Sequence, residues 1–279
     1  MDGKALAARI RSEVAAEVAE LGHVGLATVL VGDDPASDVY ITLKHRAALE
    51  AGIDARDLRL PAETSEEEVL ALVAELNGDD EIDGILVQVP LPPHMDETRI
   101  TYAVAPAKDV DGFHPVNAGN LYLGTPLHVP ATPAGCLALL AEYGVDPAGK
   151  EAVVIGRSEI VGRPVAMLLL QAHATVTICH SRTADLAAEV RRADIVVAAV
   201  GVPGIVTPSM VKPGATVIDV GLTRTEEGIR GDVDHAVAEV AGLLTPMPGG
   251  TGPMTIALLL RSAVKAARYR RGDLAYPTF

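Results

Sequence analysis

The stretch Lys150-Glu-Ala-Val-Val-Ile-Gly-Arg-Ser-Glu-Ile-Val-Gly-Arg-Pro164 decides the fold. Its first half, up to Ile155, is an apolar, β-branched run that reads as a buried strand. The run passes straight into a glycine-rich turn, Gly156 to Gly162, and then into a helix from Val165 to Gln171. A glycine-rich turn between a strand and a helix N-terminus is a phosphate cradle, because backbone N–H groups and the helix dipole face the anion. The spacing departs from G-x-G-x-x-G: Ser158 replaces the second glycine, and the third falls at Gly162. The next strand, Thr175 to Cys179, ends in His180-Ser-Arg-Thr183. Sites for NAD place an acid at this strand end to hold the ribose 2′-hydroxyl. Here Arg157, Ser181 and Arg182 supply cations and a hydroxyl, which points to a 2′-phosphate and hence to NADP, with plain surface charge as the alternative. Two further buried strands, Ala193 to Val200 and Thr216 to Val220, each run into a glycine, Gly201 and Gly221, at the expected ligand edge.

Working toward the N-terminus, the pattern alternates between helix and strand. Leu6, Ile10, Val14, Val18 and Leu21 repeat with a helical period. Leu26 to Val31 is a strand, Ala36 to Gly52 a helix, and Leu58 to Leu60 a short strand. A capped helix starts at Thr64–Glu68 and runs to Leu76, and Gly84 to Val89 is a buried strand. This alternation implies a parallel sheet with helices on both faces. Pro106 to Gly119 shows no helical or strand period, and a helix from about Ala134 to Tyr143 opens the second half. Leu244 to Thr255 packs three glycines and three prolines into a span too broken for a regular element, and a last helix follows it. The expected architecture is α/β in two domains with a cleft between them: an N-terminal α/β substrate domain and a Rossmann-type NADP-binding domain.

Three features of the first half carry chemistry. On a helix, Ser37, Tyr40 and Lys44 share one narrow stripe, because successive residues turn by about 100°. The stripe joins a hydroxyl, a phenol and an amine at a strand-to-helix corner, where open α/β sheets bind ligands; a solvated face is the plainer reading. Gln88 is a polar amide inside Ile-Leu-Val-x-Val, and leaving it unpaired costs about 1–3 kcal/mol. Its partners belong either to a site or to the proline-rich loop behind it. In the loop around Lys108-Asp-Val-Asp-Gly112, one of Asp109 and Asp111 is free to grip an amide-bearing ring while the other caps a turn.

Bulk properties narrow the classes. A chain of 279 residues with 49% hydrophobic and 22% charged residues is globular, and 3% aromatics without Trp make its core aliphatic. A net charge of −14 argues against nucleic acid and anionic membranes as partners. No apolar run is long enough to span a bilayer, and the N-terminus lacks the apolar stretch of a signal peptide. Cys136 and Cys179 have no partner at metal spacing and read as buried thiols in a reducing compartment, so a cytoplasmic location and no metal are expected.

Taken together, the segments Ser37-x-x-Tyr40-x-x-x-Lys44, Val87-Gln-Val-Pro-Leu-Pro92, Lys108-Asp-Val-Asp-Gly112, Gly156-Arg-Ser-x-x-Val-Gly162-x-Pro164 and Pro248-Gly-Gly-x-Gly-Pro-Met-Thr255 closely resemble the bifunctional methylenetetrahydrofolate dehydrogenase/methenyltetrahydrofolate cyclohydrolase family. The resemblance spans essentially the whole chain. It implies residues 1–120 as the catalytic, folate-binding domain, with the C-terminal helix 253–279 packing back on it, and 121–252 as the Rossmann-like NADP domain. It implies Lys44 as the proton donor and acceptor, Tyr40 stacking on the folate, Gln88 bonded to the lysine, and Asp111 gripping the pterin-like ring. Ser37, Val87, Pro90, Gly249, Gly250 and Pro253 fall at substrate positions. Gly156, Arg157, Ser158, Ile160, Val161, His180, Ser181, Arg182, Gly201, Gly221 and Leu222 fall at cofactor positions. A homodimer formed through the cofactor domain is also implied, as is a place in one-carbon metabolism and purine biosynthesis. The chain departs from the pattern at Thr251, where valine is usual, and at Leu222, where isoleucine is usual; the few residues that usually precede Asp-Gly-Lys are missing, so a first short strand is not expected. Rival expectations are a shikimate- or amino-acid-dehydrogenase-like enzyme, a family member with dehydrogenase activity alone, and a binding regulator without chemistry.

Overall fold

The computed structural model describes residues 1–275 except Asp33, Asp34 and Glu227, and also leaves the side chains of residues 35–40 outside its description. The chain divides into two compact units, residues 9–129 with 256–279 and residues 1–8 with 130–255. Each is an α/β unit built on a parallel sheet, the architecture expected from the alternating pattern.

The first unit holds a three-stranded sheet in the order β2-β1-β3, formed by Gly25–Val31 (β1), Asp54–Leu60 (β2) and Gly84–Val87 (β3). Most of helix α1 (Gly3–Leu21) belongs to this unit, together with α2 (Pro35–Glu50), α3 (Glu66–Gly78), α4 (Glu97–Ala103) and α5 (Pro115–Leu123). Central β1 is buried along its whole length, as its continuous apolar run requires. β2 is longer than the Leu58–Leu60 segment read from hydrophobicity. Its first half alternates charges, yet it pairs with β1 residue for residue from Gly25↔Asp54 to Val31↔Leu60. As an edge strand it keeps Asp54, Arg56 and Asp57 partly in solvent, so apolar pattern alone undercounts it.

Helix α3 shows how local sequence sets an element. Ser65 Oγ accepts the Glu68 N–H (3.3 Å) and the Glu68 carboxylate accepts the Ser65 N–H (2.9 Å), a reciprocal capping box. Val69, Val73 and Leu76 then form the buried stripe, worth about 1.5–3 kcal/mol per side chain. At the other end, buried Lys108 donates to Leu76 O (2.9 Å) and Asp79 O (2.7 Å), closing the carbonyl end of the helix. Strand β3 stops at Val87, two residues before the expected end, although the Gln88 N–H still bonds Val29 O at 2.9 Å. The segment read as irregular to Gly119 turns helical at Pro115, because His114 caps the helix and proline at the first position gives up an N–H that has no helical partner.

The second unit carries a five-stranded parallel sheet in the order β10-β7-β6-β4-β5. Its strands are Glu151–Ile155 (β4), Thr175–Cys179 (β5), Ile195–Ala198 (β6), Thr216–Asp219 (β7) and Leu243–Leu244 (β10), and Thr223–Thr225 (β8) pairs with Gly228–Arg230 (β9) as a hairpin. Helices α6 (Ala131–Glu142), α7 (Gly162–Gln171) and α8 (Leu186–Arg192) belong to it. β6 and β7 are shorter than read: Ala199 and Val220 still donate to Ile155 O and Ala198 O at 2.8 Å, but the backbone is irregular from there to Gly201 and Leu222. The last helix, α9 (Thr251–Arg270), starts inside the glycine- and proline-rich stretch expected to be irregular. Pro253 falls in its first turn, where the missing N–H costs nothing.

Candidate functional site

In the unit of residues 9–129 and 256–279, α2, the end of β3 and the loop after α4 each deliver one polar group. Lys44 lies on the last two turns of α2, half-buried, and its Nζ donates to Gln88 Oε1 at 3.0 Å. The Gln88 amide is oriented by its own nitrogen, which donates to Val89 O at 2.7 Å and so leaves the carbonyl oxygen facing the lysine. Both alternatives for Gln88 are therefore met: it ties down the proline-rich loop and holds the amine. Burial lowers the Lys44 pKa from its ordinary value, and the neighbouring Asp111 carboxylate partly offsets this. The held amine thus has an uncharged acceptor and is shifted toward the neutral form that a proton shuttle needs.

The loop settles which aspartate is free. Asp109 is buried and fully used: Oδ1 accepts the Gly112 N–H (3.1 Å), and Oδ2 accepts the His114 N–H (2.8 Å) and Asn117 Nδ2 (2.8 Å). It braces a turn that Gly112 completes with φ +71°, a left-handed conformation suited to glycine. Asp111 has no hydrogen bond among the described residues. Its carboxyl is pushed up to about 6, first by burial and then by the Asp109 charge, while Lys44 pulls it down. A small cavity lined by Ile85, Val87, Thr101, Val104, Asp109, Asp111 and Phe113 adjoins it. Thr101 and Phe113 were not singled out from sequence, since neither interrupts a pattern. Val87 is buried and Pro90 is exposed after a cis Val89–Pro90 peptide. The side chains of Ser37 and Tyr40 lie outside the described residues.

The unit of residues 1–8 and 130–255 holds the other candidates, including Gly249, Gly250 and Pro253, which the sequence grouped with the substrate. β4 feeds Gly156, whose φ of +124° admits glycine alone among common choices, and Gly162 returns so close that a Cβ there would lie 2.3 Å from Gly156 O. Ser158 Oγ accepts the N–H groups of Val161 (3.2 Å) and Gly162 (3.3 Å), and Ser158 O accepts that of Arg163 (3.0 Å). The amides left for an anion are therefore those of the preceding turn: Ser158, Glu159 and Ile160 donate to nothing among the described residues. This cradle fits a dinucleotide pyrophosphate. Beside it Gly156 N–H bonds Cys179 O at 2.9 Å, and the β5 end turns at His180, whose Nδ1 accepts the Arg182 N–H at 3.1 Å. Arg157, Ser181 and Arg182 are exposed, and neither arginine is in an ion pair among the described residues, so both cations are available to a 2′-phosphate. Ile160, Gly201 and Leu222 are exposed and Gly221 is buried. Thr251, the departure from valine, donates its hydroxyl to Asp219 O at 3.0 Å, tying the start of α9 to the end of β7.

Two functional candidates were missed. Asp219 and Asp232 are buried at the carboxyl end of this sheet, and each accepts backbone N–H groups of the turns there. The signal was present: Asp219 ends the apolar run Thr-Val-Ile-Asp as Gln88 ends Ile-Leu-Val-Gln.

Comparison with known proteins agrees with both halves. Residues 1–111 match the family model for the catalytic domain of tetrahydrofolate dehydrogenase/cyclohydrolase, and residues 130–271 that for its NAD(P)-binding domain. The bifunctional protein FolD of Moorella thermoacetica is 57% identical over 274 residues, which span 96% of this chain and 98% of that one. Among solved structures, the bifunctional FolD of Campylobacter jejuni is 46% identical with a TM-score of 0.95, over 96% of this chain and 98% of its own. The Trypanosoma brucei methylenetetrahydrofolate dehydrogenase-cyclohydrolase, solved with NADP and an inhibitor, is 40% identical with a TM-score of 0.92, over 99% and 98%. A shikimate dehydrogenase of Aquifex aeolicus, 16% identical with a TM-score of 0.51 over 91% and 94%, shares the fold alone. With both domain models matched in order and relatives covered almost end to end, the chain belongs to the tetrahydrofolate dehydrogenase/cyclohydrolase family.

Proposed function

We propose that this chain performs two consecutive reactions on a folate-borne one-carbon unit. The first is NADP-dependent oxidation of 5,10-methylenetetrahydrofolate to the 5,10-methenyl cation. The second is hydrolysis of that cation to 10-formyltetrahydrofolate, a one-carbon donor for purine biosynthesis. The observation that carries the reading is the Lys44 amine, lowered in pKa by burial, held at 3.0 Å by an uncharged amide and flanked by Asp111.

The Gly156–Gly162 turn would hold NADP, which when bound would supply the hydride acceptor. Gly156, Ser158, Ile160 and Val161 would hold its pyrophosphate, Arg157, His180, Ser181 and Arg182 its 2′-phosphate side, and Gly201, Gly221 and Leu222 its nicotinamide side. In the folate unit, Tyr40 stacks on the substrate, Ser37, Val87 and Pro90 bound it, and Asp111 grips the pterin edge. Gly249, Gly250 and Pro253 are substrate positions on the family resemblance alone. The oxidation asks the protein chiefly for orientation of two rings. The hydrolysis asks for proton transfer. Lys44 takes a proton from the attacking water and returns one to N5 as the C–N5 bond opens, one proton being released overall. Gln88 keeps the amine in place without adding charge. A dehydrogenase lacking the second activity would have no use for such a lysine.

The enzyme pairs with a second copy through its cofactor unit; β5 is an edge strand of that sheet, and Leu170 and Ile178 expose apolar surface. It works in the cytoplasm, a reading supported by the free, buried thiols Cys136 and Cys179. No helix among the described residues is long and apolar enough to cross a membrane.

Initial rates with 5,10-methylenetetrahydrofolate and NADP, then NAD, test the whole assignment when reduced cofactor and methenyl intermediate are followed together. Fast reduction with little methenyl build-up is expected with NADP. Lys44→Met should then let methenyl accumulate with reduction retained. Full cyclohydrolase activity in that variant overturns the role of Lys44, and no reduction with either cofactor overturns the assignment.

A further inference from the structure

The sheet of the cofactor unit ends in two buried carboxylates that no part of the reaction so far has used. Asp219 is 2% exposed and Asp232 0%. Asp219 Oδ1 accepts the N–H groups of Gly221 (3.1 Å) and Asp232 (2.9 Å), and its Oδ2 accepts that of Val233 (3.1 Å). Asp232 Oδ2 accepts those of Val200 (2.6 Å) and Gly201 (3.1 Å), while its Oδ1 is buried with no partner among the described residues. Both groups are pressed against the chain. A Cβ at Gly221 would lie 2.1 Å from Asp232 Cγ, and one at Gly231 would lie 1.8 Å from Asp219 Oδ2. Among the described residues neither carboxylate has a lysine, arginine or histidine partner.

Topology says what lies over them. A dinucleotide crosses the carboxyl edge of such a sheet where the strand order reverses. Here β4 is that point, with β5 on one side and β6 then β7 on the other. The pyrophosphate takes the turn after β4 and the 2′-phosphate takes the turn after β5. The nicotinamide half is therefore left with the turns after β6 and β7, the two turns that Asp219 and Asp232 hold. The nicotinamide ring is a cation when oxidised and neutral when reduced. A buried anion without a counter-charge is costly, and it favours whichever ligand state brings positive charge.

We propose that Asp219 and Asp232 set the redox-state preference of the cofactor, their buried negative charge at the nicotinamide end favouring NADP⁺ over NADPH. The inference rests on the NADP reading of this unit. Asp219, pushed up to about 6 mainly by burial, is ionised at neutral pH, so the charge is present where the enzyme works.

The test is calorimetric titration of the full-length protein with NADP⁺ and with NADPH at pH 7.5, comparing wild type, Asp232→Asn and Asp232→Ala. Asparagine keeps an oxygen for the Val200 and Gly201 N–H groups and places its NH₂ where Oδ1 has no partner, so it removes the charge and keeps the brace. The ratio Kd(NADPH)/Kd(NADP⁺) should fall in Asp232→Asn by roughly tenfold, a one-charge effect across a partly screened distance. An unchanged ratio overturns the proposal, whether both affinities persist or both fall together, the latter being what a brace without electrostatic influence would give. Should Asp232→Asn not fold, Asp219→Asn carries the comparison with the Val233 N–H bond given up, a loss that weakens both forms together and leaves the ratio to report the charge. Wild type that binds neither form overturns the NADP reading itself, a result distinct from an unchanged ratio.

Discussion

Replacing Gln88 with glutamate puts a carboxylate oxygen where an amide oxygen now sits, 3.0 Å from Lys44 Nζ. At an effective dielectric of about 20, unit charges at that separation attract by about 5 kcal/mol. Solvent screening at these half-buried side chains removes roughly half of that, leaving about 2.5 kcal/mol in favour of the charged amine. That is about two pKa units, opposite in direction to the lowering that burial imposes on Lys44. At neutral pH the population of neutral amine, and with it the cyclohydrolase rate, should fall by about a hundredfold. The dehydrogenase step moves no proton through Lys44 and should fall far less. Gln88→Glu also loses the bond from Gln88 Nε2 to Val89 O, which would disturb both activities at every pH. The pH profile separates the two effects: the rising limb of cyclohydrolase activity should move about two units alkaline, with the rate recovering there. Methenyl consumption and NADPH formation measured from pH 6 to 10 decide it. An unmoved limb, or equal loss of both activities at all pH, would refute the claim that Gln88 acts by holding the amine without charge.

Two further outcomes follow from the same geometry. The Asp111 carboxyl is raised to about 6 from an ordinary 3.8, so across that window the folded chain binds its proton more tightly than the unfolded chain. Its contribution to stability is therefore full at low pH and is lost as pH rises from about 4 to about 6. Asp111→Asn should flatten that dependence and be more stable than wild type above pH 6, by at most about 3 kcal/mol, while raising KM for the folate. Urea unfolding between pH 4 and 8 reads the slope, and identical profiles would show that Asp111 is not desolvated. Arg157→Ala should raise KM for NADP by roughly tenfold and leave KM for NAD nearly unchanged, because a charge-assisted bond to the 2′-phosphate exists for one cofactor alone; parallel loss with both cofactors would mean that Arg157 serves the turn instead.

How much of this was legible from residues depended on whether the deciding partners were close in sequence. The strand–turn–helix from Lys150 to Pro164 was readable because strand, glycines and helix are contiguous, and Lys44 and Gln88 stood out as polar groups in patterned segments. The turn amides offered to the anion were not readable, since they depend on Ser158 satisfying the N–H groups of Val161 and Gly162. Which of Asp109 and Asp111 stays free was also undetermined, because His114 and Asn117 choose Asp109 only once α5 forms. That helix lies in a stretch without helical period and the start of α9 in one dense in glycine and proline, so composition hides both; in each, proline sits in a first turn, where a helix tolerates it.

Asp219 and Asp232 show the same dependence on distance in its sharpest form. A single rule, that a polar residue closing a buried strand must have partners, flagged Gln88 because the prolines after it marked a loop. Asp219 ends its strand in the same way, but its partners Asp232 and Val233 come 13 and 14 residues later, beyond a hairpin. Neither Gly221 nor Gly231 announces in sequence that the space a side chain would take is already filled by a carboxylate. A buried acid that satisfies turn amides at a ligand edge does two things at once: it shapes the turns and leaves a charge beneath whatever binds there. At position 232 shape alone would be served as well by an asparagine, whose single oxygen accepts the same two N–H groups. The choice of a carboxylate at 232, with one oxygen left without a partner among the described residues, is therefore the feature that shape does not explain and that the charge of an oxidised nicotinamide does.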